Sequence, residues 1–229
     1  MAITGSAHER GGLLKYKASD QKIALKDRKH INQLCLSALE EENPSMTKEE
    51  IFNRFTGIGG LHGLNYVDYS NYHDFSEAKK EIEQGQFFTS DALCKWVLQC
   101  IRPEYRHRIA DLTCGKGSFF NHISNEEQIY GCEIEPDSFT VARHLYPKAN
   151  LTLGDIRDYD PGLHMNIVVG NPPYKLNWEY EGRKMPSQTV YILKAADLLF
   201  PGGILAVIVP EAFLGESTRK VGKAHLPEI

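Results

Sequence analysis

The 229-residue sequence contains no apolar run near the roughly 20 residues needed to cross a bilayer. Its start, Met1 to Gly12, lacks the apolar core of a signal peptide, so a cytoplasmic location is expected. Five cysteines, an odd number with no Cys-x-x-Cys pair, give no disulfide framework and no zinc site. Nine histidines are scattered without a ligand spacing such as His-Glu-x-x-His, and no metal is expected. An excess of positive charge is also missing. Lys and Arg total 26 against 30 Asp and Glu, a formal net charge of -4. That balance excludes a protein that coats nucleic acid through many phosphate contacts, although it leaves room for a local basic surface.

What is present is an ordinary globular composition, 41% hydrophobic and 24% charged, long enough for one substantial domain with a small appendage or for two small domains. Residues 1–20, rich in Gly, Ser and Lys without periodicity, predict a mobile tail. Residues 21–84 predict a helical N-terminal region and linker. Ile23, Leu25, Ile31, Leu34, Cys35, Ala38 and Leu39 recur at helical spacing between about Gln21 and Glu42, with a break near Asp27. Thr47 with Glu50 reads as a capping box for a short helix carrying Ile51, Phe52 and Phe55. Gly57-Ile58-Gly59-Gly60 reads as a flexible turn, since no strand precedes it and no Gly-Lys-Ser/Thr follows.

From Gly85 onward, strand and helix patterns alternate. A helix capped by Thr89 or Ser90 runs through Ile101, with Ala92, Leu93, Trp96, Val97 and Cys100 on one face. Strands are predicted at 108–111, 128–133, 150–153, 165–170 and 204–209, and helices at 119–124, 137–145 and 188–200. This alternation implies an α/β fold, a mostly parallel sheet with helices on both faces, wound right-handed. Ligands of such sheets bind outside the carboxyl ends of the strands, and Asp111, Glu133, Asp155 and Asn171 all fall there.

Asp111-Leu112-Thr113-Cys114-Gly115-Lys116-Gly117 places two glycines between strand and helix, letting the backbone turn tightly and approach a nucleotide-like ligand. The third glycine of a dinucleotide-binding turn is replaced by Phe120. The acid opening the turn suits a cation better than a phosphate, which points to S-adenosylmethionine. Glu133 sits where a carboxylate accepts both ribose hydroxyls, and Asp155 where one accepts an adenine amino group. After the fourth strand, Asn171-Pro172-Pro173-Tyr174 combines an amide, two prolines that freeze φ and an aromatic ring, a rigid clamp for a planar group bearing an amine.

Together these elements resemble the amino-group DNA methyltransferases of the N6-adenine type, in the motif order that puts the methionine-side motif first, as in restriction-modification methylases. The resemblance rests on Gly85-Gln86-Phe87-Phe88-Thr89, Asp111 to Phe119, Glu133, Asp155 and Asn171-Pro172-Pro173-Tyr174, and covers about residues 85–214. It implies a Rossmann-like S-adenosylmethionine-dependent fold. In it Phe88 and Thr89 hold the methionine moiety, while Asp111, Thr113, Gly115 and Gly117 line the amino-acid end. Glu133 takes the ribose, Asp155 the adenine, Ile134 and Ile156 sandwich the ring, and Asn171 borders donor and target. It also implies that Asn171, Pro172, Pro173 and Tyr174 are catalytic. The Asn171 oxygen and the Pro172 carbonyl accept the two amine hydrogens of a flipped adenine, and Tyr174 stacks on its ring. No charged base is needed beforehand, in keeping with the lack of an evident His or Cys catalyst.

The implied partner is DNA. Lys175, Arg183 and Lys184 follow the clamp in a loop expected to be mobile and are candidates for phosphate contacts. Family members continue past the fifth strand with two more strands and a target-recognition domain. A catalytic domain at 85–229, incomplete at its C-terminus, is therefore expected to expose a sheet edge that another chain or a missing C-terminal domain covers. Methyl transfer to a protein glutamine or to an RNA base uses the same clamp and stays open. So does a non-catalytic subunit of the same fold.

Overall fold

The computed structural model describes residues 14–19, 23–41, 44–57, 66–76, 88–174 and 176–214. The later residues of the Gly57–Gly60 turn, the Gly85-Gln86-Phe87 part of the resemblance and Lys175 lie outside these.

Five aliphatic segments form one sheet: β1 (Ile109–Asp111), β2 (Ile129–Glu133), β3 (Asn150–Leu153), β4 (Met165–Gly170) and, after a hairpin, β7 (Leu199–Val207). Its order is β3-β2-β1-β4-β7, and every neighbouring pair is parallel. Alternate side chains feed two cores, as the two-residue period of a strand requires. Ile109, Ile129, Ile167 and Val169 meet α1 (Leu25–Glu40), α2 (Lys48–Arg54), α3 (Asp91–Ile101) and α4 (Pro136–Leu145) on one face. Ala110, Leu112, Cys132 and Val168 meet α5 (Ser187–Leu198) on the other. The chain moves outward from β1 to β3 and returns to β4 on β1's far side. The topological switch point, where such sheets bind ligands, therefore lies between β1 and β4.

The N-terminal region packs against this sheet. α1 runs unbroken through Asp27, which sits in its first turn and complements the positive end of the helix dipole. The capping box forms as expected: Thr47 and Glu50 satisfy each other's backbone N–H groups at the start of α2. Residues 14–19, within the stretch expected as a tail, make specific contacts. The Tyr16 hydroxyl donates to the Leu145 carbonyl at 2.6 Å, and its N–H donates to the Asn121 side chain at 2.8 Å.

Several local expectations are corrected. α3 buries Cys94, Val97 and Leu98, while Ala92, Trp96 and Cys100 are exposed, so the buried stripe is rotated from the predicted face. The helix expected at 119–124 is a single 3₁₀ turn, Phe119–His122, which Phe119 and Phe120 pin into the core. β7 begins at Leu199 and runs through Pro201-Gly202-Gly203, with a register irregularity opposite Met165/Ile167. The loop expected to be mobile after the clamp is a two-stranded antiparallel hairpin, β5 (Asn177–Tyr180) and β6 (Arg183–Pro186), held by buried Met185. No described helix is long and apolar enough to cross a membrane, and no group of three metal-ligating side chains occurs among the described residues.

Candidate active site

Because the five strands are parallel, their carboxyl ends share one edge. Asp111 ends β1, Glu133 ends β2, Asp155 lies two residues past β3 and Asn171 directly follows β4. The glycine turn leaves β1 with Gly115 at φ +57° and Gly117 at φ +84°. A Cβ at Gly115 would come within 2.7 Å of the Phe88 ring, and one at Gly117 within 2.5 Å of Phe120. Only glycine suits these two positions, on both conformational and steric grounds.

Glu133 braces the turn. One of its oxygens accepts the Gly115 N–H at 2.6 Å, and the other accepts the Glu135 N–H at 2.8 Å. Asp111 accepts the Thr113 N–H at 3.1 Å and faces the Tyr191 hydroxyl at 3.4 Å. Burial pushes the Asp111 carboxyl up to about 7, the Glu133 charge adding to the effect and the Thr113 hydrogen bond opposing it. Burial likewise raises Glu133. Asp155 differs: Arg157 donates to both of its oxygens, at 2.9 and 2.6 Å, and these bonds hold its pKa low.

These features discriminate between ligands. Three acids line the strand ends, and the Gly115 amide is committed to a carboxylate rather than offered to an anion. The turn's lysine donates to the Phe52 and Phe55 carbonyls of the α2 end at 2.5 and 2.8 Å, and so does not present a cation to a phosphate. The buried Thr113 hydroxyl oxygen has no hydrogen-bond partner among the described residues. An orphaned hydroxyl among raised carboxyls suits a ligand with an ammonium and hydroxyls, and repels one with a pyrophosphate. S-adenosylmethionine fits this set.

Of the apolar candidates, Ile134 stands 61% exposed beside Glu133, whereas Ile156 is 5% exposed and packs in the α5-side core. Thr89 is partly buried just ahead of α3. At the clamp, the Tyr174 hydroxyl donates to the Asn171 side-chain oxygen, and it approaches the Ile208 carbonyl at 3.3 Å. The Ser187 hydroxyl donates to the Pro173 carbonyl at 2.5 Å, tying the clamp to α5.

Tyr191 is a residue that sequence reasoning missed. Fully buried, it donates to the Val169 carbonyl at 2.6 Å and accepts from the Leu112 N–H at 3.1 Å, beside Asp111. A Cβ on Gly170 would run into that hydroxyl, so the glycine before the clamp is there to admit it. Removing the hydroxyl would strip a partner from two buried backbone groups, at a cost of about 1–3 kcal/mol. Among the Ser, Gln, Thr, Lys and Asp of the same helix, its hydroxyl gave no distinct signal.

A parallel sheet that reverses at β1/β4, with a glycine turn on one side of the switch point and Asn-Pro-Pro-Tyr on the other, is the Rossmann-like fold of the S-adenosylmethionine-dependent methyltransferases. The family model for N-6 DNA methylase matches residues 72–221, well over half of the chain, and the chain belongs to that family. The fold is similar to that of the type I restriction-modification system methyltransferase subunit from Streptococcus thermophilus, with a TM-score of 0.51 and 18% identity, over 67% of this chain and 41% of that one. A protein of Listeria monocytogenes assigned to the class I S-adenosylmethionine-dependent methyltransferases gives a TM-score of 0.52 and 13% identity, over 86% of this chain and 71% of that one. Among curated proteins, the dTDP-3-amino-3,4,6-trideoxy-alpha-D-glucopyranose N,N-dimethyltransferase of Streptomyces venezuelae is 31% identical over 103 residues. The chain spans about 40% of the length of that relative.

Proposed function

We propose that this chain transfers a methyl group from S-adenosylmethionine to the exocyclic N6 amino group of adenine in DNA. The observation that carries the reading is the placement of the glycine turn and the Asn171 clamp at the carboxyl ends of adjacent strands, β1 and β4. Donor and acceptor sites then face each other across the switch point. S-adenosylmethionine supplies, when bound, a methyl group on a positively charged sulfur. Asp111, Thr113, Gly115, Gly117 and Glu133 would hold it, with Ile134, Ile156, Asp155, Phe88 and Thr89 as further contacts.

At the clamp, the Asn171 oxygen exchanges the Tyr174 hydroxyl for one amine hydrogen of the base, and the Pro172 carbonyl accepts the other. Two fixed acceptors draw the nitrogen towards a tetrahedral shape, free its lone pair from the ring and stabilise the positive charge that develops on it. The surplus proton then passes to water. Tyr174 stacks on the base, which leaves the duplex to reach it. Pro173 is structural in this scheme, its carbonyl being engaged by Ser187. Arg183 and Lys184, on the hairpin beside the clamp, are candidates to meet phosphates. A further domain or chain covering β7 would supply the reading of sequence.

The test is transfer of labelled methyl to adenine-containing DNA. Asn171→Ala should lower it by at least about a hundredfold while leaving S-adenosylmethionine binding within about twofold. Label appearing in RNA, protein or an amino sugar, with none in DNA, overturns the substrate assignment.

A further inference from the structure

The donor turn owes its shape to glycines at positive φ, and glycine leaves that region as readily as it enters. Such a turn stays complementary to a ligand only if something else fixes it. Part of the fixing is local: the Gly115 N–H is held by Glu133, and the Cys114 N–H donates to the Cys132 carbonyl at 3.0 Å. The rest comes from α1 and α2, which lie outside the residues matched by the family.

Lys116, between the two glycines, seats its ammonium on the carboxyl end of α2. There unpaired carbonyls and the negative end of the helix dipole favour a cation. The Phe52 and Phe88 rings each lie with their centroids 5.1 Å from its nitrogen, completing a cage. Phe88 is wedged between the two segments. A Cβ on Gly57 would come within 2.6 Å of its ring and one on Gly115 within 2.7 Å. The end of α2 is held in turn by α1, whose Asn32 donates to the Gly57 carbonyl at 2.7 Å and accepts the Thr56 N–H at 2.9 Å.

We propose that α1 and α2 are a positioning module for the methyl-donor site, and that Lys116 is the positioning residue that couples them to the Gly115–Gly117 backbone. The inference rests on the reading of that turn as the donor site. Burial lowers the Lys116 pKa to about 8. The titratable group acting on it is Cys35 of α1, whose own thiol burial pushes up, with Arg54 of α2 acting on that thiol in turn. The seat is therefore charged below pH 8 and loses its charge as pH rises through that value, while the Cys35 thiol stays neutral.

Calorimetry of S-adenosylmethionine binding to the full chain between pH 7 and 9.5 tests this, using wild type, Lys116→Arg and Lys116→Met. The ligand's own amino group titrates alike in all three, so differences between profiles belong to the protein. Wild-type affinity should fall about tenfold more across this range than that of Lys116→Arg, whose guanidinium keeps its charge. Lys116→Met should bind about tenfold more weakly than wild type at pH 7. If the methionine variant does not fold, the comparison of wild type with Lys116→Arg stands alone. Parallel profiles for those two, or wild-type affinity in a folded Lys116→Met, overturn the inference. Absence of binding by wild type at every pH overturns instead the assignment of the turn to this donor.

Discussion

Asp111 has a carboxyl that is buried, raised to about 7 and placed where a ligand's ammonium is expected. An acid whose folded pKa exceeds its unfolded value of about 3.9 favours folding while protonated. Its penalty is absent below about pH 4, grows between pH 4 and 7, and is complete above 7, reaching on the order of 4 kcal/mol as an upper bound. Asp111→Asn keeps an oxygen for the Thr113 N–H and removes the charge. We therefore expect the variant to be more stable than wild type at pH 8 and equal to it at pH 4 in denaturant titrations. It should also lose S-adenosylmethionine binding. Between pH 5 and 7, wild-type affinity should rise about tenfold per pH unit, a slope absent from any residual binding by the variant. A destabilised Asp111→Asn at pH 8 would contradict this account. Asp111, Glu133 and Asn171 were legible in the sequence because strand-end polar residues follow directly from the pattern of the strands. Lys116 and Tyr191 were not, since each acts through an element far along the chain. The bond from Leu112 to Tyr191 spans 79 residues and that from Lys116 to Phe52 spans 64.

Among the elements, the parallel strands were the most readable, because a short aliphatic run between turns has few other uses. The β5–β6 hairpin was not. Asn177–Tyr180 is only partly buried, and its two-residue turn is Glu181-Gly182 rather than the usual Asn-Gly or Asp-Gly. Both turn residues have positive φ, 51° at Glu181 and 69° at Gly182, as a type I′ turn requires. Glutamate carries a steric penalty there that asparagine largely escapes. Glu181→Asn should therefore stabilise the protein by about 0.5–1 kcal/mol, seen as a higher denaturant midpoint at unchanged slope. An unchanged or lower midpoint would show that the turn is not under that strain. The hairpin also bears on the clamp: its base is closed by the Ser187 N–H donating to the Leu176 carbonyl at 3.0 Å, beside the Ser187 bond to Pro173. A mobile exit from Asn-Pro-Pro-Tyr would have left the clamp's second proline unsupported. α3's rotated face has a similar cause, since tertiary packing on Phe119–His122 overrode the apolar count that favoured Trp96.

For the whole molecule, the packing partner of the helices in 21–84 was open in the sequence, and among the described residues they share one core with the sheet. Cys35 of α1, Ile51 and Phe52 of α2 and Phe55 beyond it share one cluster with Ile109, Cys114, Ile129 and Val169 of the sheet and its turn. Strand and helix patterns show which face of an element is apolar, but not which apolar face it will meet, so this union could not be read from periodicity. A shared core implies one cooperative unit. Far-UV circular dichroism, dominated by the helices, and the fluorescence of Trp96 on α3 and Trp178 on β5 should report a single coincident denaturant transition. S-adenosylmethionine at about 100 times its Kd should shift that transition by about 2.7 kcal/mol for both probes. Hydrogen exchange should then slow together in α2 and in the Cys114–Gly117 turn, because opening one releases the Lys116 seat that holds the other. Loss of helical signal ahead of the fluorescence change, untouched by the methyl donor, would instead make α1 and α2 a separate unit resting on a self-sufficient methyltransferase sheet.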